Sequence, residues 1–183
     1  MKKKKRETKY FAVSWGRPKK KRACGLGDAL GQLGCAIGQG LLAGLTGTAA
    51  ITVAQLLEMK ITDRKPSNTP EKAGKIVLGV RPINNAKGKR FGNMVHWFYG
   101  IIWGIPRGIL SLFAIRGIPA TFIHFLKIWI TGMMILPWMK ISSPPWQWSR
   151  KALAIDGVLH FVYALGAGVC YDYIHRTKGQ GKW

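Results

Sequence analysis

Apolar residues arrive in four long runs, set apart by polar and basic connections. The first, "GDALGQLGCAIGQGLLAGLTGTAAITVAQLL", covers about 27–57 and exceeds the roughly 20 residues that a bilayer crossing needs. Its first third is weakly apolar, so the inserted part is expected at about 36–57. The other runs cover about 92–115, 118–139 and 152–174, each close to one crossing at about 1.5 Å per residue. Backbone inside lipid must satisfy its own hydrogen bonds, so these runs predict helices. No alternating pattern of about ten residues recurs to suggest a barrel. The expected fold is an all-α integral membrane four-helix bundle, with helices at about 28–58, 92–115, 118–139 and 152–174. One domain over 27–175 then lies between basic tails at 1–26 and 176–183.

The connections differ in kind. Within the polar loop 59–91, "TPEKAGKIVLGV" offers Thr69 as N-cap, Pro70 at the first helical position and Glu71 in the first turn. Ala73, Ile76, Val77 and Val80 share a face, which predicts a short interfacial helix on the membrane surface or on the bundle. A tight link at Arg116 and Gly117 joins the second and third spans. The turn "PWMKISSPPWQWSRK" carries Trp138, Trp146 and Trp148, which favour the headgroup layer.

Charge refines this picture. The chain is 48% hydrophobic and 20% charged, yet its net charge is +22. Eleven Lys and Arg crowd into residues 1–24 and nine more into 59–91. "MKKKKRETKY" is followed by a second basic cluster, "RPKKKR", not by a cleavable apolar segment, so the tail is expected to be retained. Four spans put both termini on one side. Counting basic residues gives 15 on that side and 12 on the other, a bias toward cytoplasmic termini that the basic 59–91 loop opposes. The tail suits anionic headgroups or an acidic protein partner, and nucleic acid is not the expected target. Cys24, Cys35 and Cys170 form no CxxC pair and no metal spacing, and read as small buried thiols.

The polar residues inside the spans carry the candidate chemistry. His96 and Arg107 stand eleven residues apart, which on a helix returns the chain to within about 20°. They define one stripe with Tyr99 and Trp103, beside a ridge of Gly100, Gly104 and Gly108. Such a ridge admits a neighbouring helix closely, as does the Gly40 and Gly44 pair of the first span. In the third span His124, Lys127 and Thr131 share a face. A mid-span lysine costs about 2.5–3.5 kcal/mol on insertion scales, so it calls for a partner or a wet cavity. In the fourth span Asp156 and His160 are one turn apart, continued by Tyr163, Ala167 and Cys170. Asp156 is the candidate to neutralise Lys127 or Arg107, and Glu58 closes the first span.

Polar helix packing is the first reading of this cluster. The alternative is a haem, chlorin or metal site on His96, His124 and His160, or a proton or ion path through His96, Arg107, His124, Lys127, Asp156 and His160. No ExxH, CxxCH or HxxxH spacing supports a cofactor, so none is expected, and no repeat supports a transporter. "GLGDALG" lacks the preceding strand of a nucleotide fingerprint, and neither a nucleophile elbow nor a zinc-protease motif occurs. The chain is therefore read as non-enzymatic, an accessory or structural membrane subunit.

The succession "GQGLLAGLTGTAAITVAQLLEM", "HWFYGIIWG", "LPWMKISSPPWQW" and "LHFVYALGAG" resembles the small four-helix bacterial inner-membrane proteins of the YagU-like type. The likeness covers about 40–175, and Pro144-Pro145 followed by His160 is its most specific part. His96 and His124 match its general pattern, and the basic tail 1–24 departs from it. The resemblance implies a bacterial inner-membrane location and supplies no reaction, cofactor or catalytic residue.

Overall fold

The computed structural model describes residues 26–80, 82 and 84–180, with side chains described through residue 176. The basic tail at 1–24, with Cys24, lies outside the described residues. The chain is all-α. It forms α1 (Leu26–Thr62), α2 (Thr69–Leu78), α3 (Asn85–Leu112), α4 (Gly117–Trp138) and α5 (Arg150–Gln180), with a 3-10 turn at Pro145–Gln147. Helices α1, α4 and α5 are long and apolar enough to cross a membrane. Helix α3 is not among them, because His96, Arg107 and its glycines dilute the apolar residues.

Local chemistry sets helix ends that apolar periodicity does not. Helix α3 starts at Asn85 rather than near 92, because the Asn84 side chain accepts the Lys87 N–H at 2.9 Å. A polar first turn is thereby capped ahead of the apolar stretch. Helix α5 starts where Ser149 Oγ accepts the Ala152 N–H at 3.1 Å. In α2 the N-cap is Asn68, not Thr69, and Ser67 Oγ accepts the Thr69 N–H. Gly79, at φ 65°, ends that helix in the left-handed conformation.

The expected apolar face of α2 also lies elsewhere. Gly74 is its buried residue, set against Phe91 and Val95 of α3, while Glu71 fills the space above Gly88 and Gly92. Ile76, Val77 and Leu78 point outward. The helix rests on α3 by its smallest residue, because only there can the two backbones come close.

The four long helices run alternately antiparallel. Ala36 of α1 meets Gly108 of α3, Gly40 meets Gly104, and Thr52 meets His96, so depth rises in one helix as it falls in the other. Gly47 meets Tyr163 of α5, and Thr121 of α4 meets Gly168. Helix α1 is central, packed on α3 and α5, while α4 packs mainly on α5. Packing of α1 begins at Ala36. Residues 26–35 are exposed and extend beyond it. The apolar core is Ala43, Ile51, Ile128, Leu159, Tyr163, Ala167 and Tyr171.

The α1–α3 contact is backbone on backbone. A Cβ added at Gly40 would stand 2.7 Å from the Gly104 carbonyl oxygen, and one at Gly44 would stand 3.0 Å from Gly100 O. A Cβ at Gly104 would strike the Gly40 carbonyl, and one at Gly108 the Ala36 carbonyl. Neither backbone can yield without separating the helices. Gly38, two residues from Gly40, has nothing within 4 Å of its Cβ position. The pair gives a matched test. Gly40→Ala is expected to destabilise the protein by about 1–3 kcal/mol through overpacking, while Gly38→Ala is neutral or mildly stabilising. Thermal melts in one detergent check this, and equal melts for the two variants contradict it.

Candidate functional site

The interior polar groups form a ladder across the helices rather than one cluster. Its most buried rung is Arg107 on α3, which is 0% exposed. Arg107 Nη2 donates to Asp172 Oδ1 of α5 at 2.5 Å, and the guanidinium lies 4.6 Å from the centre of the Tyr171 ring. Tyr171 OH and Ser111 Oγ share a hydrogen bond of 2.6 Å, and Ser111 Oγ also donates to the Gly108 carbonyl. One turn of α3 and one turn of α5 are thus joined by an ion pair, a cation–π contact and a hydroxyl bridge. Cationic charge so far from water must be paired, and Asp172, itself partly accessible, supplies the anion.

The next rung belongs to His124 on α4, also fully buried. Its Nε2 lies 2.7 Å from the Trp103 carbonyl of α3. A carbonyl only accepts, so Nε2 carries the proton and a neutral ring leaves Nδ1 as an acceptor. Pro106, inside α3, has no N–H to give the Ile102 carbonyl, and the carbonyl that meets His124 is the next one, Trp103. Beside His124, at 5.8 Å between ring centres, Tyr163 OH donates to the Gly100 carbonyl at 2.6 Å. Below it, Thr52 Oγ1 donates to the Thr48 carbonyl and meets His96 Nε2 at 3.1 Å. The Thr52 proton is already engaged, so His96 Nε2 is the donor in that contact.

Two further groups stand apart. Asp156 Oδ2 accepts the Trp129 indole N–H at 2.9 Å, with His160 Nδ1 at 3.5 Å, and His160 Nδ1 donates to the Asp156 carbonyl. Glu58 meets Arg64 at 2.6 Å, just past the end of α1. Hydrogen bonding to Glu58 raises the Arg64 pKa above its ordinary value.

The residues singled out in the sequence therefore occupy separate stations. His96, Arg107 and His124 lie on the ladder. Asp156 and His160 form their own pair, and Asp156 meets neither Arg107 nor Lys127. Glu58 stays at the end of α1. Lys127 lies outside the interior. It is exposed on α4, although its helix neighbour His124 is buried. Three residues turn a helix by about 300°, and on an edge helix that offset suffices to carry a side chain out of the packed face. Sequence reasoning missed Asp172, Tyr171, Ser111 and Thr52. Asp172 had a signal available: an acid inside an apolar run is costly alone and calls for a nearby cation.

Three buried nitrogens, Arg107 Nε, Arg107 Nη1 and His124 Nδ1, have no hydrogen-bond partner among the described residues. Among those residues, no three His, Cys, Asp or Glu side chains gather closely enough to hold a metal ion. A shallow apolar groove of about 460 Å³ runs between α1 and α5, floored by Thr46, Ala50 and Gly166.

Breaking the Arg107–Asp172 rung tests its weight. Asp172→Asn leaves Arg107 buried without a counterion, an expected loss of about 3–5 kcal/mol. A markedly lower melting temperature in detergent is the expected reading, and an unchanged one contradicts the assignment. No protein-family model, curated protein or solved structure matches this chain.

Proposed function

We propose that the chain is a non-enzymatic multi-pass protein of the bacterial inner membrane, an accessory or structural subunit of a larger membrane complex. Four helices cross the bilayer, α2 lies at its surface, and both termini are cytoplasmic. One observation carries this reading. The interior polar groups join helix to helix: Arg107 to Asp172, Ser111 to Tyr171, His124 to the Trp103 carbonyl, Tyr163 to the Gly100 carbonyl and His96 to Thr52. Groups engaged in this way fix the relative position of α1, α3, α4 and α5.

Two further points support it. Helix α3 runs beside the apolar part of α1 from Gly108–Ala36 to His96–Thr52, so it shares the depth of a helix able to cross. Arg107 is then an intramembrane charge shielded from lipid by three helices. The eleven basic residues of 1–24 suit anionic headgroups or an acidic partner surface. The resemblance to YagU-like proteins agrees with the location. Purification from native membranes in mild detergent is expected to bring down a partner in fixed stoichiometry, and a lone monodisperse protein overturns the subunit role.

A second reading, cofactor binding or proton and ion handling, is favoured by the unpartnered Arg107 Nε, Arg107 Nη1 and His124 Nδ1. Its signature is a visible chromophore, bound metal, or ion flux in liposomes that falls in His124→Gln. A colourless, metal-free sample without flux removes it.

A further inference from the structure

Lys127 stands at the middle of α4, which spans Gly117–Trp138. Each end is about 15 Å away at 1.5 Å per residue, too far for a lysine side chain to reach a headgroup along the helix. The side chain is exposed and has no ion-pair or hydrogen-bond partner among the described residues. Four acids of the described residues are engaged elsewhere, Asp172 with Arg107, Asp156 with Trp129, Glu58 with Arg64 and Glu71 with Lys75, and two more, Asp28 and Asp63, stand at the two ends of α1. A cation at such a depth is costly unless something meets it.

Its surroundings form a pattern. Ile123, Lys127, Ile130 and Met134 are all exposed, and their spacing of four, three and four residues is that of a helix–helix seam. A single lysine in an otherwise apolar seam fixes register and partner choice at some expense of stability. Backbone at that depth must be helical, so the matching surface is another helix. A second copy meeting this stripe would set lysine against lysine in low dielectric, which disfavours self-association.

We infer that the Ile123–Lys127–Ile130–Met134 stripe docks a transmembrane helix of another protein that carries an Asp or Glu near mid-bilayer. The inference rests on the membrane-subunit reading and deepens it, by naming the face and the chemistry of the partner. The lysine neutralises the partner's carboxylate, and the three apolar residues pack beside it.

The full chain in bicelles, at mildly alkaline pH, is mixed with a biotinylated leucine–alanine transmembrane peptide bearing one central Asp. The same peptide with central Leu is the comparison. Streptavidin capture of wild-type protein is expected to be about tenfold greater with the Asp peptide, the size of a polar contact between membrane helices. Lys127→Leu erases that preference, and Lys127→Arg keeps it. Ile130→Trp, which retains the charge but blocks the seam, weakens capture. Lys127→Leu removes only an exposed charge, so an unchanged melting temperature confirms an intact fold.

Equal capture of the two peptides, Asp preference that survives Lys127→Leu, or a Lys127-dependent dimer without peptide each overturn the proposal. Asp-selective capture with no stoichiometric native partner keeps the face and rejects the subunit role. A native partner that stays bound to Lys127→Leu does the reverse.

Discussion

The Arg107–Asp172 pair sets the terms for the rest of the interior. A guanidinium that is 0% exposed has no water to fall back on, so α5 must present Asp172 to α3 at one depth and one rotation. Once that register is fixed, Tyr171 lies against the guanidinium and reaches Ser111, and Tyr163, two turns earlier on α5, reaches the Gly100 carbonyl. The glycine contact between α1 and α3 depends on the same placement. Gly40, Gly44, Gly104 and Gly108 meet only when α3 keeps its height against α1. Charge pairing chooses the register, and close backbone packing holds it.

Depth sorts the remaining polar groups. Arg107, Asp172, Ser111 and Tyr171 occupy the end where α1 begins and α5 finishes. His124, Trp103 and Tyr163 sit further in, and His96 with Thr52 beyond them. Asp156, His160 and Trp129 lie toward the opposite end, with Glu58 and Arg64 outside. Each rung connects two elements, and α3 takes part in most of them. The one long helix without a stretch apolar enough to cross a membrane is thus also the one that the polar contacts of its neighbours engage throughout.

The long helices were legible in the sequence, because apolar runs of membrane length leave few alternatives to a helix. The glycine ridge was legible too, since its four-residue spacing depends on one helix alone. The partner of Arg107 was not. Periodicity gives the angle of a residue on its own helix and says nothing about which neighbour stands there, so the sequence pointed to Asp156 and passed over Asp172. Lys127 failed for the same reason. Its angle lies close to that of buried residues, but α4 is an edge helix packed mainly on α5, and its other flank is open. The early start of α3 escaped notice because one side chain, Asn84, caps a polar turn ahead of the apolar pattern.

The central claim is that the buried ion pair serves packing rather than chemistry. A double-mutant cycle tests it most directly, with Arg107→Met, Asp172→Leu and their combination measured by unfolding in bicelles. The account predicts that each single change destabilises strongly and that the apolar pair recovers most of the loss, a coupling of at least about 1.5 kcal/mol. Additive losses in the combined variant would contradict it.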